Sequence, residues 1–307
     1  MPDLLAPDPV VAPKVARPRV WTLAVAFLVA FVVPLFAGAV VGFSVAMSAT
    51  FESIKAGIDP GIVDPAILSP TVEREIAALT TAPGFTAAFS MVTSASFAGI
   101  ALLAAHLSPE RLVRRLALGP TRWVGARAGA GYAAAMLGAL AIGVGTDAVV
   151  RLVFGQYSAT ILATAEVIRA EPMPWFLLLV MAIAAAAPLG EELFFRGYLQ
   201  TRLVARFGRW AGIVVTSILF GIAHVDPMHA ALAGLGALFL GWVAVRTGSI
   251  RPAIAGHVFN NAISVAGNRM SAFELEGPVV EVVLLVVSTL VVVGACVVIA
   301  RVSPRPD

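Results

Sequence analysis

WFLLLVMAIAAAAPLGEELFFRGYL, residues 175–199, is the stretch that decides the fold. It opens with an apolar run and then, after Pro188, carries Glu191, Glu192 and Arg196. A charged side chain near the bilayer centre costs ~2.5–3.5 kcal/mol on insertion scales, so the charges that persist there usually face an interior cavity and carry function. The stretch therefore predicts a membrane helix with one polar face turned toward the inside of a bundle.

The composition of the whole chain agrees with a membrane location. Hydrophobic residues make up 59% of the 307 residues and charged residues only 13%, and the mean hydropathy is +0.93. A soluble domain cannot hide this much apolar surface, and one crossing of the bilayer takes ~20 apolar residues. We therefore predict an all-α integral membrane protein, a bundle of about eight transmembrane helices. The expected spans are residues 20–48, 84–107, 125–147, 175–199, 211–225, 229–246, 251–267 and 279–300.

The positive charges predict the orientation of the bundle, because Lys and Arg accumulate in cytoplasmic loops. With both termini in the cytoplasm, fifteen Lys and Arg residues fall on the cytoplasmic side and five on the outer side, while Arg196 lies within the fourth span. We expect a multi-pass protein of the cell membrane in contact with the lipid bilayer. The net charge of +3 reflects this orientation and predicts no nucleic-acid partner.

The polar residues within the expected spans are concentrated in the C-terminal half. Three helices each present a pair of side chains four residues apart, which lie on one helix face. Glu192 and Arg196 can form an ion pair, whereas Glu191 is rotated by about 100° and is free to face another helix. The three pairs are Glu192 with Arg196, Phe220 with His224, and His257 with Asn261.

This set of side chains is suited to hydrolysis. A carboxylate with a histidine can activate a water, directly or through a metal, and a second histidine with an asparagine amide can donate to a developing oxyanion. The alternative is structural: a membrane histidine can simply hydrogen-bond a neighbouring helix, and Glu192 with Arg196 can act as a packing clamp. Pro188 removes a backbone donor, so we expect a free carbonyl at Ala184 and a kink.

At these residues the sequence resembles the CPBP family (CAAX protease and bacteriocin-processing, also called Abi), which includes the type II CAAX prenyl endopeptidases. The resemblance covers roughly residues 175–267. Three motifs carry it in order: EExxxR, matched by Glu191, Glu192 and Arg196; FxxxH, matched by Phe220 and His224; and HxxxN, matched by His257 and Asn261.

The resemblance implies a chamber open to the cytoplasm and a catalytic site within it. In that site Glu191 and His224 would activate water, and His257 and Asn261 would stabilise the oxyanion, with Glu192 and Arg196 in support. The chain then divides into four parts: a cytoplasmic tail (1–19), N-terminal transmembrane helices with external segments (20–173), the CPBP-like catalytic helices (174–267), and the last transmembrane helix with a cytoplasmic tail (268–307).

The cofactor remains open between a divalent metal such as Zn²⁺ and none. Glu191, His224 and His257 could supply three metal ligands and leave a fourth position for water, but the sequence has no HExxH zinc pair. Asp226 and His229, in the short turn HVDPMH, could also bind a metal by composition. We interpret these two as solvated loop residues.

The expected topology poses a geometric problem for the shared water. Glu191 and His257 lie about 9–12 Å from the cytoplasmic ends of their spans, whereas His224 lies about 20 Å along an untilted helix. The site can close only if the fifth helix tilts strongly or begins outside the membrane.

The favoured function is an intramembrane endopeptidase that hydrolyses a membrane-associated protein or peptide near the cytoplasmic face. A non-proteolytic scaffold or regulator that retains the site is the alternative. A proton-coupled transporter ranks third, since intramembrane Glu and His also build proton relays, but such folds often show two repeated halves, and here the polar groups lie in one half.

Overall fold

A computed structural model describes residues 19–55, 65–270 and 277–303. Over these residues the chain is helical and has no strands. The helices are α1 (Val20–Lys55), α2 (Pro65–Thr80), α3 (Phe85–His106), α4 (Leu112–Arg115), α5 (Ala126–Phe154), α6 (Ala159–Ala170), α7 (Trp175–Phe207), α8 (Arg209–Ile222), α9 (Pro227–Thr247), α10 (Arg251–Met270) and α11 (Pro278–Val302).

The predicted class, an all-α membrane bundle, is confirmed. Each of the eight predicted spans overlaps a helix, but within the described ranges only six helices are long and apolar enough to cross a membrane: α1, α3, α5, α7, α9 and α11. α8 is apolar but has only 14 residues, and α10 carries much of the polar site. The count of eight spans is therefore not confirmed.

Two helices lie where the sequence suggested helix-like external segments. α2 contains TVEREIAALT and α6 contains TILATAEVIRA. α5 is longer than its predicted span because it continues from residue 147 to Phe154. The proposed tails at residues 1–18 and 304–307 lie outside the described residues.

The hydrogen-bond register of α7 changes on both sides of Pro188. The helix is a π-helix over Met181–Ala186 and again over Glu192–Gln200. The Ala187 N–H donates to the carbonyl five residues back, at Ala182. In this register the next carbonyl, Ile183, faces Pro188, which has no N–H to donate. The free carbonyl is thus at Ile183, one residue before the position expected for an α-helix.

Close contact between α7 and α3 depends on Gly190. A Cβ at Gly190 would lie 2.4 Å from the Ser94 carbonyl oxygen, and the Ser94 hydroxyl donates to the Ala186 carbonyl. The aromatic side chains of α7 fill the space below: Phe194 and Phe195 are fully buried and both pack on Phe97 of α3. This packing fixes the face of α7 that bears the glutamates.

One end of the bundle, which we call the arginine-rich end, is formed by residues 117–123, 246–251 and 300–303. The Ile250 N–H donates to the Ala117 carbonyl (3.0 Å), and Trp123 Nε1 donates to the Ser303 hydroxyl (3.1 Å). Arg246 donates to the carbonyls of Ala300 (2.7 Å) and Ser303. These bonds fix the start of α10, six residues before His257.

Residues 155–174 lie at the opposite end of the bundle and include α6. We call this segment the strap, and it connects three parts of the bundle. The Ser158 hydroxyl donates to Asp226 Oδ1 at the start of α9 (3.1 Å), and Glu171 Oε1 accepts from the Gly84 N–H at the start of α3 (2.6 Å). Arg269 Nη1 of α10 donates to the carbonyls of Ile168 (3.1 Å), Arg169 and Glu171. The strap thus ties α3, α9 and α10 together.

Candidate active site

Glu192 lies at the centre of a buried charge network. Its side chain is 0% exposed and that of Arg196 is 1% exposed, with Arg196 Nη1 only 2.8 Å from Glu192 Oε1. The same carboxylate oxygen lies 2.9 Å from His257 Nδ1 on α10. The ion pair expected from the four-residue spacing is confirmed. It also holds an imidazole from another helix, which the spacing could not show.

Glu191 faces the other side of the same imidazole. Its Oε2 lies 3.7 Å from His257 Nε2. Both side chains are only partly exposed, at 15% and 11%. A water molecule can contact both atoms, because 3.7 Å is less than twice a hydrogen-bond length of about 2.8 Å. His257, rather than His224, is therefore the histidine placed beside Glu191.

Phe220 connects the second motif to the network. Its ring centroid lies 4.9 Å from that of His224 and 5.9 Å from that of His257, and the Arg196 guanidinium lies over its face at 4.5 Å. His224 Nδ1 lies 2.9 Å from the Phe220 carbonyl oxygen. Because a carbonyl only accepts, Nδ1 carries the proton and neutral His224 has its lone pair on Nε2. No pattern in the sequence indicates this aromatic contact beyond the FxxxH motif.

Asn261 attaches α10 to the π-helical part of α7. Its Nδ2 donates to the Ile183 carbonyl (3.0 Å), the carbonyl that Pro188 leaves without a backbone donor. Its Oδ1 accepts from Nδ2 of Asn260 (3.3 Å). One of the two Nδ2 hydrogens of Asn261 is thus used for anchoring, and the other is available to a ligand.

Asp226 and His229 are more than solvated loop residues. The Asp226 carboxylate accepts from the His229 N–H (2.8 Å) as the cap of α9, and also from Ser158. The His229 N–H and the Ser158 hydroxyl hold the pKa of Asp226 below its usual value. The ring of His229 lies 4.5 Å from that of His224. The sequence analysis did not predict this contact, although the five-residue spacing of His224 and His229 could have indicated it.

The residues present do not fit a three-ligand metal site. His257 and His224 each have Nδ1 engaged, by Glu192 and by the Phe220 carbonyl, and each keeps Nε2 free. Across residues 19–55, 65–270 and 277–303, however, no three His, Cys, Asp or Glu side chains are grouped closely enough to hold a metal ion. Glu191, His224 and His257 are therefore not assembled as a three-ligand zinc site.

An apolar groove lies beside the site, between α8 and α9. Its volume is about 410 Å³, and small residues such as Ser217, Gly221 and Gly234 line its floor. Gly221 permits the close approach of the two helices, since a Cβ there would lie 2.5 Å from the Ala230 carbonyl oxygen. The lining of the groove ends at Ile222, two residues before His224.

The comparisons with known proteins concern the same part of the chain. No curated protein and no solved structure matches the sequence. Residues 173–263 match the family model described as type II CAAX prenyl endopeptidase Rce1-like. This range contains all the predicted site residues and the helices α7 to α9 with most of α10. The part of the chain that builds the site is therefore similar to the Rce1-like type II CAAX prenyl endopeptidases, as the three motifs predicted.

Proposed function

We propose that this protein is an intramembrane endopeptidase in which Glu191 is the general base. The observation that carries the proposal is the arrangement of Glu191 and Glu192 on either side of His257, in a nearly closed site within the Rce1-like segment. A purely structural clamp needs only Glu192 and Arg196, which already pair with each other. That clamp does not need Glu191, whose side chain remains partly exposed to water.

The proposed mechanism requires a proton on both ring nitrogens of His257. With Glu191 and Glu192 ionised, an imidazolium at His257 and the Arg196 guanidinium leave the cluster with no net charge. His257 then donates from Nδ1 to Glu192 and presents Nε2–H toward the water and the substrate.

In the proposed reaction, the water beside Glu191 attacks the carbonyl carbon of the scissile bond while its proton passes to Glu191. The negative charge that develops on the carbonyl oxygen is stabilised by His257 Nε2–H and by the second Nδ2 hydrogen of Asn261. Glu191 returns the proton to the leaving nitrogen as the C–N bond breaks. A base acting in this way contributes a factor of about 10² to 10⁴ in rate.

His224 has a supporting part in this proposal. Its free Nε2 can accept a hydrogen bond from the substrate backbone, and Phe220 fixes the ring. Arg196 and Glu192 hold His257 in place without touching the reacting atoms.

The proposed substrate is a membrane-associated protein or peptide cut near the cytoplasmic face. The family name refers to prenylated CAAX sequences; for this chain we propose the broader class. The distribution of Lys and Arg supports placing the arginine-rich end and both termini in the cytoplasm.

The test compares the N-termini of membrane proteins in cells making the wild type, Glu191→Gln or Glu75→Gln at equal, folded levels. Glu75 is exposed on α2, so Glu75→Gln controls for the loss of one carboxylate. New N-termini present with the wild type and Glu75→Gln, but absent with Glu191→Gln, would support the proposal and identify the substrate. Identical profiles for all three would refute it and favour a scaffold.

A further inference from the structure

Asn260 is a polar residue of α10 that lies outside the three motifs. Its Nδ2 donates to Asn261 Oδ1 at 3.3 Å, while its own Oδ1 is buried and accepts no hydrogen bond from the described residues. Leaving such an acceptor unsatisfied destabilises the folded chain, because the buried oxygen loses its hydrogen bonds to water. An apolar residue of the same size would avoid this cost, so stability does not explain an asparagine here.

Gly143 of α5 provides the space that Asn260 occupies. A Cβ at Gly143 would lie 2.7 Å from Asn260 Oδ1 and 3.7 Å from Asn260 Cγ, with no other atom within 4 Å. Gly143 has no positive φ, so backbone conformation does not require glycine at this position. A glycine inside a helix is destabilising relative to alanine. The contact that a larger residue would disturb is the one with the Asn260 amide.

The amide of Asn261 is consequently held at both ends. Ile183 accepts from its nitrogen and Asn260 donates to its oxygen. An amide held in this way cannot rotate about its terminal bond without losing both contacts. The direction of its second Nδ2 hydrogen is therefore fixed.

We infer that Asn260 is a positioning residue that acts through Asn261, and that Gly143 leaves the space that the Asn260 side chain requires. The inference rests on the proposed function, in which the second Nδ2 hydrogen of Asn261 stabilises the oxyanion. It also extends the support of the site to α5, outside the segment that matches the family model.

The test uses purified, full-length protein and a peptide that spans the cleavage site found by the N-terminus comparison. The variants are Asn260→Leu, which keeps the size of the side chain but removes its amide, and Gly143→Ala, whose added Cβ would clash with the Asn260 amide. The matched control is Gly129→Ala, because a Cβ at Gly129 of the same helix meets nothing within 4 Å. Thermal unfolding shows that each variant is folded.

We expect kcat to fall about 10- to 100-fold in Asn260→Leu and Gly143→Ala while KM changes less than about twofold, because oxyanion stabilisation acts in the transition state. Gly129→Ala should match the wild type. A merely structural role would lower the unfolding temperature and raise KM along with it. An unchanged kcat in folded Asn260→Leu would overturn the inference.

A binding measurement separates this inference from the proposed function. The same peptide ending in an aldehyde at the cleavage position hydrates to a tetrahedral species that mimics the intermediate. The wild type should bind it more tightly than the uncut peptide, and Asn260→Leu should lose that preference by about 10-fold or more. If the wild type shows no preference, the proposed function fails; if the wild type and Asn260→Leu show the same preference, only the positioning role fails.

Discussion

At the level of single residues, the shared oxygen of Glu192 determines how the site tolerates substitution. Glu192 Oε1 lies against both Arg196 and His257; Glu192 and Arg196 are shielded from water, and only 11% of the His257 side chain is exposed. Removing one member leaves a buried charge without its partner, which costs far more than the pair itself contributes.

We therefore predict that Arg196→Met destabilises the protein by about 3–5 kcal/mol. In the double variant Glu192→Gln with Arg196→Met, no unpaired carboxylate remains, and part of that loss should be recovered. Reversible unfolding in detergent measures both free energies. If the double variant is no more stable than Arg196→Met alone, the unpaired charge is not the cause.

At the level of the helix, α7 depends on Gly190 for its contact with α3. The Cβ of an alanine would lie 2.4 Å from the Ser94 carbonyl oxygen and 2.6 Å from its hydroxyl oxygen. The helices must move apart, and the turns of α7 that carry Glu191 and Glu192 must move with them.

For Gly190→Ala we predict a loss of about 1–3 kcal/mol in the free energy of unfolding, as for other overpacked sites, together with loss of activity. Gly99→Ala on α3 is the control, because a Cβ there meets nothing within 4 Å. Unfolding midpoints and turnover measure the two effects. Equal behaviour of the two alanine variants would contradict this account of Gly190.

The strap depends on one arginine of α10. Arg269 Nη1 shares its two hydrogens among three carbonyls at the end of α6, and a charge-assisted bond contributes about 1.5–3 kcal/mol.

We predict that Arg269→Ala speeds amide hydrogen exchange in residues 159–170 by at least about 10-fold, equivalent to about 1.4 kcal/mol, while exchange in α5 stays the same. Arg169→Ala, at an exposed position of α6, removes a charge from the strap itself and should have little effect. Hydrogen exchange followed by mass spectrometry resolves the two segments. Unchanged exchange in Arg269→Ala would show that other contacts hold the strap.

At the level of the whole molecule, hydropathy was sufficient to predict the class of fold and the approximate place of each helix. A bilayer requires long apolar helices, and this requirement is visible in the sequence. The pair of Glu192 and Arg196 was predictable for a similar reason, since both lie on one helix and four residues apart.

The remainder of the site depends on contacts between helices, which a single sequence does not contain. Nothing in the spacing indicates that His257 sits between two glutamates, or that Phe220 touches both histidines. The bond between Asn261 and Ile183 requires the π register of α7, which Pro188 permits but does not specify. These features arise from packing, so they appear only in the folded chain.

The shortness of α8 has a consequence for the surrounding lipid. Its 14 residues span about 21 Å, whereas the hydrocarbon layer is about 30 Å thick, and its outer face exposes Val214, Ile218 and Ile222. This hydrophobic mismatch costs a fraction of a kcal/mol per Å, which the membrane can relieve by becoming thinner beside the groove. Turnover should therefore be higher in bilayers of 14-carbon than of 22-carbon phosphatidylcholines, and acyl-chain length becomes a determinant of where in the cell membrane this protein works.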